Sequence, residues 1–186
     1  MSDVTFDMKT NQMEVYSKNA EPWKVTLIDT GENTQIGGRL KRAYEFVKDE
    51  KFFCFTYGDG LSNLNIKKSI AFYQSHKKLV TLDAVKPPGR YGVLEKDGIK
   101  VTNFTEKPSG NGGFINGGYF IISPKVLSYI KNDSVAWEGD ILKKLTSMDE
   151  VRCFEHKGFW HAMDTLRDKN YLENLWQDEK VPWKAW

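Results

Sequence analysis

Apolar positions along this chain follow two alternating spacings. Residues 23–29 read as a strand, and after a Gly-containing loop Leu40, Ala43, Tyr44 and Val47 recur at the i, i+3, i+4, i+7 spacing of one helix face. Residues 52–57 form an apolar run too short for a helix and rich in strand formers, which predicts a fully buried strand. Ile66, Ile70 and Tyr73 mark a second helix, and residues 79–85 a second buried strand that Pro87-Pro88-Gly89 stops. Strand, helix, strand predicts a parallel crossover. The period then shortens: residues 92–95 and 99–105 flank Asp97-Gly98, a pair that favours the positive φ angles of a tight hairpin turn. Residues 114–122 read as a strand, and Ser123-Pro124 as the start of a helix to about residue 131. A helix over 138–147 and a strand over 151–155 follow. Thr165 with Asp168 resembles a capping box, with Asp in place of Glu, opening a helix over 166–176. The prediction is an α/β domain with a mixed sheet.

Composition narrows the classes of function. The chain has 186 residues, 40% of them hydrophobic and 13% aromatic, enough for one ordinary core and too aromatic for disorder. Lys and Arg number 27 against 25 Asp and Glu, and the basic pairs are scattered, so no nucleic-acid partner is expected. No apolar stretch approaches the ~18 residues of a membrane span, and the first residues lack the basic flank and apolar run of a signal peptide. A cytoplasmic protein without a membrane partner is the expectation. Cys54 and Cys153 sit in apolar segments far apart, which predicts two buried thiols rather than a disulfide or a CxxC metal site.

In open α/β sheets ligands bind beyond the carboxyl ends of strands. Gly58-Asp59-Gly60 follows the 52–57 strand, and a carboxylate between two glycines leaves room for a bulky ligand such as Mg²⁺ with a phosphate. The competing reading is a plain turn in which Asp59 bonds its own backbone. Asp164, just before the last helix, is the second carboxylate, because Mg²⁺ is commonly held by one or two carboxylates plus phosphate oxygens; otherwise it helps cap that helix. Lys107 in Glu106-Lys107-Pro108 suits a phosphate, and Glu106 suits sugar hydroxyls, although a solvated lysine at a strand end and a surface carboxylate are the commoner fates of such residues. Asn116-Gly117-Gly118 inside a strand signals either close approach of a ligand or a bulge. Strand alternation puts Cys153 and His156 on opposite faces, which argues against zinc. No GxxxxGK[ST], GxGxxG or GxSxG motif occurs.

Read together, several segments resemble one family. They are Glu21-Pro22-Trp23 with Asp29-Thr30-Gly31, Gly37-Gly38-Arg39-Leu40, Phe55-Thr56-Tyr57-Gly58-Asp59-Gly60, Pro87-Pro88-Gly89-Arg90-Tyr91-Gly92, Glu106-Lys107-Pro108, Ile115-Asn116-Gly117-Gly118-Tyr119-Phe120, and Gly158-Phe159-Trp160 with Met163-Asp164-Thr165. In this order, along the whole chain, they resemble the glucose-1-phosphate cytidylyltransferases, a branch of the sugar-nucleotide pyrophosphorylases. The resemblance implies a Rossmann-like nucleotide-diphospho-sugar transferase fold over residues 1–186 and formation of CDP-glucose and pyrophosphate from CTP and glucose 1-phosphate. That product feeds CDP-dideoxyhexose and surface-polysaccharide synthesis. By position it implies that Asp59 and Asp164 bind Mg²⁺, that Thr34, Arg39 and Gly58 contact nucleotide, that Lys107 holds the sugar phosphate, and that Gly92, Glu106 and Asn116 hold glucose. It also implies homo-oligomers among full-length relatives.

The implied reaction is in-line attack of a sugar-phosphate oxygen on the α-phosphorus of CTP, which needs no general base because the monoester is already largely dianionic at neutral pH. The family's GGxGTRL loop and KPM segment have no counterpart here. The chain therefore reads as incomplete at its amino end, short of at least one strand-helix-strand unit. Such a chain is expected to show little activity alone, and to expose sheet edges that favour association. The alternative is a non-catalytic remnant or sugar-phosphate-binding module.

Overall fold

The computed structural model describes residues 4–16, 23–87, 93–97, 99–105 and 113–184. They fall into two compact units, Met1–Thr30 and Gly31–Trp186. In the first, β1 (Val4–Asp7) and β2 (Gln12–Val15) form an antiparallel hairpin that the spacing analysis does not anticipate. Its register pairs Val4 with Val15 and Phe6 with Met13, so one face is apolar and the other polar. The Asp7 carboxylate accepts from the backbone of Lys9 at 2.8 Å and of Thr10 at 3.2 Å, which tightens the turn.

The expected strand over 23–29 is absent. Its alternating apolar residues Trp23, Val25 and Leu27 are 76%, 71% and 92% exposed. A strand needs a ladder partner and a surface for its apolar face, and among the described residues this segment has no ladder pairing.

In the second unit, α1 (Ile36–Arg42) and α2 (Tyr44–Val47) carry the expected helix, broken at Ala43. They are followed by β3 (Phe53–Thr56), β4 (Gly60–Ser62), α3 (Ile66–His76) and β5 (Val80–Val85). The hairpin β6 (Val93–Asp97) and β7 (Lys100–Thr105) then leads to β8 (Ile115–Ile122). A 3-10 helix at Pro124–Tyr129, a π turn at Trp137–Leu142 and α4 (Lys143–Ser147) precede β9 (Val151–His156), β10 (Trp160–Ala162) and α5 (Leu166–Gln177). The α5 capping box forms as expected: Thr165 Oγ1 accepts from the Asp168 backbone at 3.2 Å, and the Asp168 carboxylate accepts from the Thr165 backbone at 3.0 Å.

The main sheet has the order β3-β8-β5-β9. Strand β8 runs antiparallel to both neighbours, and β5 runs parallel to β9. The crossover β3-α3-β5 does join two parallel strands, with β8 inserted between them. Strand β5 is buried along nearly its whole length, as expected. Strand β3 is not: its residues alternate between half-buried and exposed, because it stands at the sheet edge with one face uncovered. Cys54 on β3 and Cys153 on β9 are exposed, which corrects the expectation of buried thiols. An apolar run locates a strand, but not its place in the sheet.

One sheet face carries the core. Phe120 and Ile122 of β8 and Val80 of β5 pack with Leu40, Val126, Leu127, Ile130, Trp137 and Leu145. Phe55 stacks on Phe120 at 5.4 Å, and Trp137 meets both rings edge-on. On the other face α3 lies over β5, where buried Ser69 donates to buried Asp83 at 2.9 Å. Burial pushes the Asp83 carboxyl up to about 6.

Candidate functional site

The short ribbon of β4 and β10 stands beyond the end of β3, with Trp160 opposite Ser62 and Ala162 opposite Gly60. A backbone bond from Met163 N to Asp59 O, 2.8 Å, continues the pairing by one residue. Asp59 at the end of one strand of the ribbon and Asp164 beyond the other thereby reach the same cavity, of about 210 Å³. Trp160, Ala162 and Asp164 all line it, the period of two of an extended chain.

Strand β8 supplies the opposite wall. Its register with β5 shifts between Leu82, which faces Phe120, and Ala84, which faces Asn116, so two steps of β5 match four of β8. The bulge falls at Gly117-Gly118. Gly118 has φ +78, and a Cβ on Gly117 would lie 2.7 Å from a Val85 methyl. The Asn116 carboxamide oxygen accepts from Gly118 N at 2.9 Å. Two aromatic donors tie the walls together: Trp160 Nε1 to Gly117 O at 2.8 Å and Tyr119 OH to Gly60 O at 2.6 Å. The bulge reading of Asn116-Gly117-Gly118 is borne out, and the bulge lines the cavity.

Asp59, Asp164 and Asn116 are brought together as expected. Among the described residues the Asp59 carboxylate takes no hydrogen bond from its own turn, and a Cβ on Gly58 would meet no atom within 4 Å. The open space inferred from the flanking glycines is there. Asp164 is not the cap of α5, a position held by Thr165. Thr34 is buried just before α1, and Arg39 on α1 donates to Glu32 O at 3.0 Å; neither lines this cavity. Gly92, Glu106 and Lys107 lie outside the described residues.

Sequence reasoning passed over Tyr57, Trp160 and Glu138. The Tyr57 ring lies beside Gly118, and its hydroxyl donates to the Glu138 carboxylate. Burial pushes the Tyr57 phenol well above its ordinary range, and the Glu138 carboxylate adds to that rise. Recognising β10 as a strand would have exposed Trp160 through its alternation with Asp164. No sequence signal joins residue 57 to residue 138.

The donor set suits a hard divalent cation, since two carboxylates from separate strand ends face one open cavity beside backbone carbonyls and a carboxamide. A larger groove of about 410 Å³, rimmed by Lys41, Lys48 and Lys125, has no carboxylate in its lining. His156 is bonded to Phe159 O at 3.1 Å and His161 to Asp168 at 3.1 Å, so each imidazole already has a partner.

A mixed sheet with this two-carboxylate cleft at its strand ends is the architecture of a nucleotidyltransferase. Solved structures agree: HddC from Yersinia pseudotuberculosis superposes with a TM-score of 0.56 at 27% identity, over 75% of this chain and 61% of that one. A UDP-glucose pyrophosphorylase bound to UDP-glucose gives 0.58 over 81% and 64%, and at 13% identity it speaks to the fold alone. Residues 4–178 match the profile of the Nucleotidyl transferase family, and the chain belongs to that family. It is 53% identical over all 186 residues to glucose-1-phosphate cytidylyltransferase of Salmonella typhi, spanning 72% of that protein. The "Probable glucose-1-phosphate cytidylyltransferase" of Bacillus subtilis is 33% identical over the same span, again 72% of its length. These homologues are enzymes that transfer nucleotidyl groups. Among the described residues no helix is long and apolar enough to cross a membrane.

Proposed function

We propose that this chain makes CDP-glucose and pyrophosphate from CTP and glucose 1-phosphate, for the assembly of deoxysugar-bearing surface polysaccharides. The observation that carries the reading is the convergence of Asp59 and Asp164 on one open cavity, in a chain whose relatives at 53% identity have this activity. Asp59 and Asp164 are the residues that would hold Mg²⁺; when bound, it neutralises phosphate charge.

The chain's own groups bind and orient. Asn116 offers a donor and an acceptor to sugar hydroxyls at the β8 bulge, in concert with Gly92 and Glu106. Lys107 fixes the attacking phosphate as a point charge. Thr34, Arg39 and Gly58 contact the nucleotide, and the space around Gly58 admits it. With a dianionic nucleophile, holding the two phosphates in line supplies much of the catalysis, and no triad is needed. Such substrates belong to the cytoplasm, and the full-length relatives to homo-oligomers.

The test pairs calorimetric binding of glucose 1-phosphate with pyrophosphate release from CTP in the presence of Mg²⁺. Release that Asp59→Asn or Asp164→Asn lowers by ~10²-fold or more marks the cytidylyltransferase. Glucose 1-phosphate binding without release marks a sugar-phosphate-binding module instead. Absence of both overturns the proposal, as does release that survives both substitutions.

A further inference from the structure

Met163, Asp164 and Thr165 are all that join β10 of the ribbon to helix α5, so the place of the Asp164 carboxylate is set by how that short link is held at its two ends. On the ribbon side, Met163 N donates to Asp59 O at 2.8 Å. On the helix side, Asp168 in the first turn of α5 takes hold of Thr165, its Oδ2 accepting from Thr165 N at 3.0 Å and from Thr165 Oγ1 at 2.7 Å. That much belongs to the capping box, and it occupies one carboxylate oxygen.

The other oxygen is used as well. Asp168 Oδ1 lies 3.1 Å from Nε2 of His161, a residue of β10, so one carboxylate grips the chain on both sides of Asp164. Alternation puts Trp160, Ala162 and Asp164 on the cavity face of the ribbon and His161 on the face behind it. There the imidazole also packs on Tyr171, with ring centroids 4.8 Å apart, and residues 168 and 171 share a face of α5 because they are three apart. The His161 and Asp168 side chains are 14% and 11% exposed, so water competes little for their bond. The Thr165 hydrogen bonds hold the Asp168 carboxyl below its usual range against the effect of burial, and His161 adds to the lowering. An ionised carboxylate only accepts, which makes Nε2 of His161 the donor.

We propose that His161 and Asp168 are positioning residues for the cation site: their bond clamps the back of the ribbon to α5 and thereby fixes where the Asp164 carboxylate stands relative to Asp59. The proposal rests on the reading that Asp59 and Asp164 hold a divalent cation. A ribbon with three paired positions sets the separation of the two carboxylates only loosely, whereas a small cation with strict geometry is held best when its ligands are fixed from behind. Capping α5 requires neither His161 nor the second Asp168 oxygen, so the capping and positioning roles come apart at His161.

The test uses the whole chain, with Mn²⁺ as the probe followed by electron paramagnetic resonance, alongside backbone amide exchange. His161→Phe keeps a ring for Tyr171 and leaves the capping box, removing only the donor. In this variant the Met163 amide is expected to exchange about 10-fold faster as the ribbon opens more often, with β5 amides unchanged. Mn²⁺ affinity falls by about 5–10-fold, the size of one lost hydrogen bond. His161→Gln returns an N–H donor near the place of Nε2 and is expected to recover much of both. Unchanged Met163 exchange overturns the proposal, and so does Mn²⁺ affinity within about 2-fold of the unsubstituted chain or a loss that His161→Gln does not recover. Quickening of the β5 amides to the same degree marks damage to the whole fold and overturns it too. If the unsubstituted chain binds no Mn²⁺, or binds it equally well as Asp59→Asn and Asp164→Asn, the cation reading fails, and the Met163 amide still decides whether the clamp holds the link.

Discussion

Asp83 carries a carboxyl on a strand with neighbours on both sides, beneath a helix, where the Ser69 hydroxyl donates to it. Its ionised form is poorly solvated there, so the folded chain binds its proton up to about pH 6, whereas the unfolded chain releases it near about pH 4. Between those values the native state holds more protons than the unfolded state. Stability therefore falls as pH rises from about 4 to about 6 and is level beyond. Asp83→Asn keeps an acceptor for Ser69 and removes the charge. It is expected to raise stability at pH 7 by on the order of 2 kcal/mol, with the gain fading toward pH 4, in urea melts across that range. A gain independent of pH would show that packing, not ionisation, is responsible. Residues of this kind are invisible in the sequence, where Asp83 is one polar position in an apolar run. Asp59 and Asp164 were legible because each ends an extended segment next to a turn or a cap. Tyr57 and Glu138 were not, because their contact joins positions 81 apart.

The elements that the sequence shows well are those whose period is long enough to count. Helix α3 and α5 have three turns each and side-chain caps, and β5 and β8 have six and eight residues. Strands β4 and β10 have three residues each, too few for alternation to emerge, although they form the ribbon that bears both carboxylates. Residues 23–29 fail in the opposite way, with clear alternation and no ladder among the described residues. Glycines sharpen the element-scale account. On β8, Gly117→Ala must displace a Val85 methyl at 2.7 Å and the Asp83 carbonyl at 2.9 Å, so a loss of about 1–3 kcal/mol is expected. Gly58→Ala meets nothing within 4 Å and is expected to leave the melting temperature unchanged while weakening CTP binding, because under the proposed function the methyl enters space that the nucleotide would occupy. Equal thermal losses at the two positions would refute this division between a packed glycine and an open one.

For the molecule, the sheet order β3-β8-β5-β9 gives the two central strands partners on both sides, and leaves the β4-β10 ribbon with three paired positions. Native-state hydrogen exchange is expected to follow that order, with β5 and β8 amides opening only in global unfolding and the ribbon opening in smaller excursions. Ribbon amides as protected as those of β5 would contradict it. The broad architecture was legible because helices and strands alternate along the chain; the insertion of β8 between β3 and β5 was not, since pairing order is set by long-range packing. That insertion has a further consequence. One wall of the cleft is cut from the strand whose next residues, Phe120 and Ile122, lie in the core, whereas the facing wall is a lightly anchored ribbon. Heritable variation in the two walls is thus unequally filtered. Changes at Asn116, Gly117 or Gly118 are tried against the integrity of the whole fold, while changes at Trp160 or Ala162 are tried mainly against what the cleft accepts. Divergence in acceptor preference among such chains should accumulate on the ribbon, with β8 as the slowly changing reference against which it is read.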